Sequence, residues 1–189
     1  PNQYILFVGR LVPENCAHHL VEAFKKIDTH LKCVIVGDAA YAQEYITSLK
    51  TRAEGDPRII FTGYVFGAGY HELGSNAYIF VETSGVGGTH PALLEAMAFG
   101  NCVITHNTQE NLETIGDAGF SYDGKVGADS LQQLLEKLLA ESEMVTEYRQ
   151  RAKHRAQIHY TWEVVTNEYE RLFYQLTKQA LPKRLQTTT

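Results

Sequence analysis

The sequence predicts an α/β fold built on one parallel, doubly wound, six-stranded sheet of the Rossmann-like kind. Two observations lead to this prediction. Short runs of β-branched and aromatic residues alternate with helix-like segments along most of the chain, which is typical of βαβ units with right-handed crossovers. Most of these runs are almost continuously apolar, as expected for strands that are buried on both faces of a sheet.

Six apolar runs are predicted as strands, and the last of them is the weakest. They cover residues 3–9, 32–38, 58–64, 77–83, 101–107 and 119–123. Apolar residues recur at helical spacing between the first strands, for example Leu20 and Phe24 in one segment and Tyr45 and Leu49 in the next. This spacing predicts amphipathic helices that cover the sheet.

Three further helices are predicted to close the chain, at residues 128–141, 143–159 and 162–179. The third helix carries an apolar stripe. The stripe consists of Trp162, Val165, Tyr169, Leu172, Phe173 and Leu176. We expect Trp162 to anchor this helix in the core. The sequence thus predicts one domain over residues 1–180, with a disordered tail at residues 181–189, where a proline stops the helix and little can be buried.

Composition excludes several classes of protein. The chain has 189 residues, 44% of them hydrophobic, which suits one domain with a sizeable core. A net charge of -5, with scattered Lys and Arg, argues against a nucleic-acid partner. No apolar run is long enough to span a membrane, and we predict a cytoplasmic protein. The three cysteines lack metal-site spacing, so we predict free and buried thiols in a reducing compartment.

The stretch "SGVGGTHPALLEAMAFG" at residues 84–100 links a predicted strand to a short apolar helix. Its glycines allow a backbone to approach a ligand closely, and Pro91 suits the first position of a helix. Either Thr89 or His90 would then cap the helix. In a doubly wound sheet, ligands bind at such loops, beyond the carboxyl ends of the strands.

Free backbone amides at the start of this helix favour a bound phosphate or diphosphate. They belong to Gly88, Thr89, His90 and Ala92, and the helix dipole reinforces them. Glu95 lies about one turn further along, where its carboxylate could accept hydrogen bonds from sugar hydroxyls. The alternative is a glycine-rich turn into an ordinary helix, with Glu95 on a solvated face.

Several motifs together resemble a known family. The segments "VGRLVPEN", "CVIVGDA", "IIFTGYV", "GGTHPALLEAMAFGNCVITHN" and "IGDAGFSYD" resemble, in order and spacing, the C-terminal, donor-binding half of retaining GT-B glycosyltransferases of the family-4 kind. The resemblance covers residues 4–123, and residues 160–173 look like the family's closing helix. It implies a nucleotide-diphospho-sugar as donor, a glycan or lipid-linked acceptor, a place in polysaccharide biosynthesis, and neither a metal nor another cofactor.

The resemblance also assigns roles to individual residues. Glu95 matches the glutamate that binds the nucleotide ribose. Arg10 matches the arginine that contacts the diphosphate, and it is the expected catalytic residue because it would stabilise the leaving group. Tyr64 and Val65 lie in the loop that meets the base, although an ordinary strand end with Tyr64 packed is an equal alternative.

The chain departs from the family's pattern at two positions. Asn15 stands where the family usually has a lysine near the diphosphate, and it is the expected diphosphate contact at that position. Gly87 stands where the family usually has a glutamate that binds the transferred sugar. Gly87 and Gly88 are thus the expected neighbours of the donor sugar. A dead enzyme would explain both changes. However, "PEN" together with "VGGTxPxLLEAM" resembles a bacterial rhamnosyltransferase-like subgroup with the same changes, which favours dTDP-rhamnose as donor.

The family's acceptor site lies on an N-terminal domain that this sequence lacks. The resemblance therefore implies such a domain in a longer chain or in a separate subunit, with peripheral association at the inner face of the membrane through that half. By itself, the chain is expected to bind a donor and to be inactive in transfer. A nucleotide-sugar binding module without turnover is accordingly an alternative function.

Nucleotide-sugar epimerases and nicotinamide-binding domains share the predicted fold. An epimerase fits the motifs less well. In a nicotinamide-binding domain, "GVGG" would be a fragment of the dinucleotide fingerprint, but His90 stands where Gly or Ala is required and the loop follows the fourth strand. Histidines at 18 and 19 are predicted as surface or packing residues, whereas His106 could contact a diphosphate or be a neutral loop residue. Glu110 is explained by its place at a helix start.

Overall fold

The computed structural model describes residues 3–186, and six short strands form its central sheet. The strands are β1 (Tyr4–Val8), β2 (Lys32–Val36), β3 (Ile59–Gly63), β4 (Ile79–Glu82), β5 (Cys102–His106) and β6 (Phe120–Tyr122). All pair in parallel, in the order β3-β2-β1-β4-β5-β6. This is the six-stranded, doubly wound sheet that the sequence predicts, so the predicted fold class is confirmed.

Eight α-helices are found among the described residues. They are α1 (Ala17–Lys25), α2 (Gln43–Ala53), α3 (Gly67–Asn76), α4 (Pro91–Phe99), α5 (Gln109–Ile115), α6 (Ala128–Ala140), α7 (Ser142–His159) and α8 (Trp162–Leu176). Short 3-10 turns lie at Pro13–Asn15 and Lys183–Leu185. The strand order reverses across β1, which has β2 on one side and β4 on the other. Such a switch point leaves a crevice at the carboxyl ends of the strands.

The sheet separates two layers of core. One layer includes Leu20 of α1 and Leu131 of α6, and the other includes Leu93 of α4 and Ala152 of α7; all four are fully buried. Burial of the strands on both faces explains their continuous apolar sequences. Cys33 and Cys102 are buried, Cys16 is half-buried, and all three thiols are free.

The prediction that Trp162 anchors the last helix in the core is wrong. Its side chain is 86% exposed, and α8 has no buried residue. Most of the predicted apolar stripe, including Tyr169, Phe173 and Leu176, is likewise exposed. The periodicity identified an apolar face correctly, but no other element in residues 3–186 covers that face.

Part of the predicted tail has a definite place. Residues Lys183–Leu185 form a 3-10 turn against α8, and Leu185 is buried. The Arg171 guanidinium donates to the carbonyl oxygen of Leu185 at 3.2 Å, and Arg184 pairs with Glu170 at 2.5 Å. Residues 187–189 of the predicted tail lie outside the described residues.

Candidate functional site

A pocket of about 330 Å³ opens at the switch point. It lies between α3 and α4 and is floored by the ends of β1 and β2. Its lining residues are Val8, Gly9, Val36, Gly37, Tyr64, Val65, Phe66, Gly67, Tyr70, Ala92 and Glu95. Tyr64, Val65 and Glu95, to which the family resemblance assigns nucleotide binding, therefore line one pocket. A mostly apolar cavity with few polar groups is typical of a small-molecule site.

Glu95 lies on the pocket-facing side of α4. Its carboxylate Oε2 accepts a hydrogen bond from the hydroxyl of Tyr70, which belongs to α3. Burial, followed by the nearby Glu95 carboxylate, raises the pKa of Tyr70. The hydroxyl therefore keeps its proton at neutral pH and acts as the donor in this pair. Sequence reasoning did not identify Tyr70, because nothing in its local pattern reveals a partner on another helix.

The loop after β3 supplies the aromatic wall of the pocket. Tyr64 and Phe66 are 57% and 78% exposed, and their rings stack at a centroid distance of 5.8 Å. The Tyr64 hydroxyl donates to the Asp38 carbonyl oxygen at 3.2 Å. Val65 lies between them and packs against the core layer beneath α4. Tyr64 is thus held at the rim instead of being packed inside, and Phe66 is a lining residue that the sequence did not indicate.

The floor of the pocket depends on two glycines that follow β1 and β2. Gly37 adopts a φ of +139°, which L side chains rarely adopt. A Cβ placed on Gly37 would lie 1.8 Å from the carbonyl oxygen of Gly9. Because the two backbones touch here, the ends of β1 and β2 close the floor without any side chain between them.

The glycine-rich loop ends where α4 begins. Pro91 occupies the first turn of α4, as predicted, and His90 is the N-cap residue, although no side chain caps the helix. The His90 Nε2 atom instead lies 3.3 Å from the Val86 carbonyl oxygen. Within residues 3–186, the backbone amides of Gly88, Thr89, His90 and Ala92 have no protein acceptor. These donors are available to an anion at the positive end of the helix.

Arg10 follows β1 and is exposed. Its Nη1 atom donates to the Tyr41 hydroxyl at 3.1 Å, so the guanidinium contacts the loop after β2. No hydrogen bond joins it to residues 87–90 in the part of the chain that the structure describes. Its neighbour Gly9 lines the pocket, whereas Arg10 itself is not among the lining residues, and most of its donors have no acceptor among the described residues.

Asn15 has a structural place that its sequence position did not reveal. Its side-chain Nδ2 donates to the Arg10 carbonyl oxygen at 2.9 Å, and its Oδ1 accepts from the Ser84 hydroxyl at 3.2 Å. Its backbone oxygen accepts from the Thr83 hydroxyl at 2.5 Å. Asn15 therefore ties the loop that carries Arg10 to the base of the glycine-rich loop.

Gly87 lies directly against a carboxylate. A Cβ placed on Gly87 would lie 2.5 Å from Oε1 of Glu110, at the start of α5. Glu110 is exposed and stands beside the loop that the sequence assigns to the donor sugar. The glycine at this position therefore leaves room for an acid that a distant part of the chain supplies.

A second acid lies beneath the same loop. Glu82 ends β4 and is only 4% exposed, and its Oε1 accepts from the Ser84 amide at 3.0 Å. Burial raises the pKa of Glu82, while the nearby His90 lowers it by a smaller amount. A buried polar group of this kind needs a hydrogen-bond partner, and the bond to Ser84 fixes the first turn of the loop.

Three histidines cluster at the carboxyl ends of β1 and β5. The rings of His18 and His19 are 4.5 Å apart, and those of His19 and His106 are stacked at 6.5 Å. His18 Nδ1 lies 2.9 Å from the Tyr45 hydroxyl, and His19 Nδ1 lies 3.0 Å from the Tyr122 hydroxyl. His18 and His19 are therefore packing residues, as predicted.

This cluster makes stability depend on pH. Burial, with the neighbouring His18 and His106, lowers the pKa of His19 to about 4, and burial also lowers the pKa values of His18 and His106. Histidines in the unfolded chain titrate at about pH 6.5. Below that pH the unfolded state therefore binds more protons than the folded state, and the free energy of unfolding falls as the pH drops from about 6.5 toward 4. We expect His19 to account for about 1 kcal/mol between pH 7 and pH 5, since its half-exposed ring is partly screened.

Urea denaturation at pH 7 and pH 5, compared with the His19→Gln variant, measures this effect. The variant keeps a polar group near Tyr122, and it should lose less stability on acidification than the parent chain. Carboxylates contribute equally in both proteins and cancel in the comparison. If acidification lowers the free energy of unfolding equally in both proteins, His19 is not the source of the pH dependence.

Neither a metal cluster nor a membrane span is found within residues 3–186. No group of three or more His, Cys, Asp or Glu side chains in this part of the chain is arranged to hold a metal ion. No helix in it combines the length and the apolar character needed to cross a membrane.

Comparison with known proteins identifies a family and a fold. The family model described as "Glycosyl transferases group 1" matches residues 1–155. No sequence among the curated proteins matches the chain.

Three solved structures illustrate the fold. HepE from Anabaena, in complex with UDP, is 20% identical with a TM-score of 0.81, over 94% of this chain and 49% of that chain. A glycosyltransferase from Rickettsia africae is 18% identical with a TM-score of 0.82, and the match covers 95% of this chain and 49% of that chain. The C-terminal domain of the Francisella tularensis group 1 protein LpcC is 21% identical with a TM-score of 0.74, over 86% and 88%. This chain thus spans about half the length of the first two.

Proposed function

The chain belongs to the group 1 glycosyl transferases, and we propose that it is the donor-binding half of a retaining GT-B glycosyltransferase of the family-4 type. The observation that carries this proposal is the pocket at the switch point, where Tyr64, Val65 and Glu95 face one cavity beside the free amides at the start of α4. An aromatic rim, an acid and an anion site match the base, the sugar and the diphosphate of a nucleotide.

In this proposal, the base lies against the Tyr64–Val65 loop and Glu95 accepts a hydrogen bond from the pentose. The diphosphate lies between Arg10 and the amides of Gly88, Thr89 and His90. The complex of HepE with UDP supports a nucleotide ligand for this fold. Asn15 acts through its bonds to the Arg10 loop, so Arg10 and the helix start carry the charge neutralisation.

The donor sugar is proposed to lie beside Gly87 and Gly88. Glu110 is the carboxylate nearest to Gly87, and we assign to it the contact with sugar hydroxyls. We propose a deoxysugar donor, dTDP-rhamnose, on the basis of the subgroup resemblance.

Transfer requires the glycosidic bond to the diphosphate to break with charge accumulating on the leaving group. Arg10 offers a fork of donors to the departing phosphate, and the amides at the start of α4 supply fixed dipoles. The proposal assigns no role to a metal or another cofactor.

The acceptor site is proposed to lie on a second, N-terminal domain, in a longer chain or a separate subunit. The twofold greater length of HepE and the Rickettsia africae enzyme supports this. The acceptor would be a glycan or a lipid-linked glycan of a polysaccharide pathway. We propose a cytoplasmic location, with peripheral membrane association through the acceptor half. Alone, this chain binds the donor without turnover.

A thermal-shift panel of dTDP-rhamnose, UDP-glucose and GDP-mannose tests this proposal. A donor present at about 100 times its Kd should raise the melting temperature by roughly 5 °C or more, because binding stabilises the folded state by mass action. We expect the dTDP-linked donor to give the largest shift. NAD is the matched negative ligand, since it also carries a diphosphate. The proposal would be overturned if only NAD raised the melting temperature, or if none of the nucleotide sugars did.

A further inference from the structure

One acceptor atom of the proposed pentose site is already in use. The carboxylate of Glu95 has two oxygens, and Oε2 accepts a hydrogen bond from the Tyr70 hydroxyl. The Tyr70 ring is half-buried, with the Phe99 ring edge-on at a centroid distance of 6.4 Å. Tyr70 and Glu95 both line the pocket, so the bond lies in the wall that a nucleotide would contact.

This bond changes what the carboxylate can offer to a ligand. A free carboxylate accepts hydrogen bonds on both oxygens and can therefore hold the two adjacent hydroxyls of a ribose. A hydrogen bond from a neutral hydroxyl draws charge from one oxygen and places a ring beside it, which makes Oε2 a weaker and more crowded acceptor. Oε1 then remains as the principal acceptor, and one acceptor suits one hydroxyl.

A 2′-deoxyribose has one free hydroxyl, at C3′, whereas a ribose has two. Sites built to bond a hydroxyl discriminate strongly against ligands that lack it, because a buried polar group would be left without its partner. In this pocket, however, Oε2 of Glu95 already has a donor, the Tyr70 hydroxyl, so it is not left without a partner when the ligand has no 2′-hydroxyl. The absence of the 2′-hydroxyl should therefore cost little.

We infer that Tyr70 determines the pentose preference of the pocket, by occupying Oε2 of Glu95 and adapting the site to a 2′-deoxyribonucleoside diphosphate. This inference rests on the proposed function, because it presupposes that Glu95 contacts the pentose. It concerns the nucleotide half of the donor and is independent of the sugar that is transferred.

Calorimetric titration of UDP and dUDP, which differ by one oxygen atom, tests the inference. The parent chain should bind the two with Kd values within about threefold of each other. In the Tyr70→Phe variant, Oε2 is released and can accept from a 2′-hydroxyl, so the preference for UDP over dUDP should rise about 10-fold or more, as expected for one hydrogen bond to a charged group.

The Tyr4→Phe variant is the matched control. In the parent chain, the Tyr4 hydroxyl donates to the Leu73 carbonyl oxygen at 2.7 Å. Leu73 belongs to α3, the helix that carries Tyr70, and Tyr4 lies outside the pocket lining. Removing the Tyr4 hydroxyl tests whether loosening α3 alone alters the preference between UDP and dUDP. We expect no change in the ratio of the two Kd values. If Tyr70 merely holds Glu95 in position, Tyr70→Phe will weaken both nucleotides equally, and the inference is overturned.

A ligand-side measurement covers the case in which Tyr70→Phe does not fold. In the parent chain, removing the 3′-hydroxyl of UDP should weaken binding about 10-fold or more, while removing the 2′-hydroxyl should cost less than about threefold. Equal costs, or a preference of the parent chain for UDP above about threefold, contradict the inference. If a folded parent chain binds neither UDP nor dUDP, the proposed function itself fails.

Discussion

Replacing Arg10 with alanine is expected to weaken UDP binding roughly 10- to 100-fold while changing uridine binding less than twofold. Arg10 follows Gly9, which lines the pocket, and one of its donors is bonded to the exposed Tyr41 hydroxyl. Hydrogen bonds from a guanidinium to a phosphate contribute about 1.5–3 kcal/mol, which corresponds to this loss of affinity. Uridine carries no phosphate, so it does not lose that contact.

Calorimetry with UDP and uridine measures the two effects. The matched control is Arg151→Ala, which also removes one positive charge but breaks a surface ion pair with Glu147 and a cation–π contact with Tyr148, both on α7 and outside the pocket lining. It should leave both affinities unchanged apart from a small, salt-dependent effect. An equal loss for UDP and uridine in Arg10→Ala would show that Arg10 does not contact the diphosphate.

Replacing Gly37 with alanine is expected to destabilise the fold by about 3 kcal/mol or more. The new Cβ would lie 1.8 Å from the Gly9 carbonyl oxygen, on a backbone with φ of +139°. The position of a Cβ is fixed by its own backbone, so β1 and β2 must move apart to admit it. Overpacking and backbone strain then both lower the free energy of unfolding. Separating the strands also opens the pocket floor and should weaken nucleotide binding.

Urea denaturation of Gly37→Ala and of Gly55→Ala separates the two causes. Gly55 also has a positive φ, +83°, but a Cβ there meets nothing within 4 Å. We expect Gly55→Ala to cost about 1 kcal/mol from backbone strain alone. A similar loss of stability in the two variants would mean that the backbone relieves the contact with Gly9 at little cost in free energy.

The fold was predictable because its physical cause is local. Strands buried on both faces must be apolar along their whole length, so the runs at β1, β2 and β5 stand out from their surroundings. Trp162 shows where this reasoning stops. Helical periodicity marks an apolar face, but whether another element covers that face depends on the tertiary arrangement.

The candidate site was predictable only in part. The loop-and-helix pattern indicated the free amides before Pro91, and the family resemblance indicated Glu95, Tyr64 and Val65. Tyr70 was missed because its partner lies 25 residues away on another helix. Glu110 was attributed to the helix dipole, because only the folded loop places its carboxylate against Gly87.

The hydrogen bonds of Asn15 limit which side chains this position can hold. A lysine here, as is usual in the family that the sequence resembles, could not accept from the Ser84 hydroxyl, and that hydroxyl would lose its side-chain partner. Placing a cation at position 15 would therefore disturb the junction beneath the glycine-rich loop before it could help a ligand. An engineered Asn15→Lys exchange thus calls for accompanying changes around Ser84.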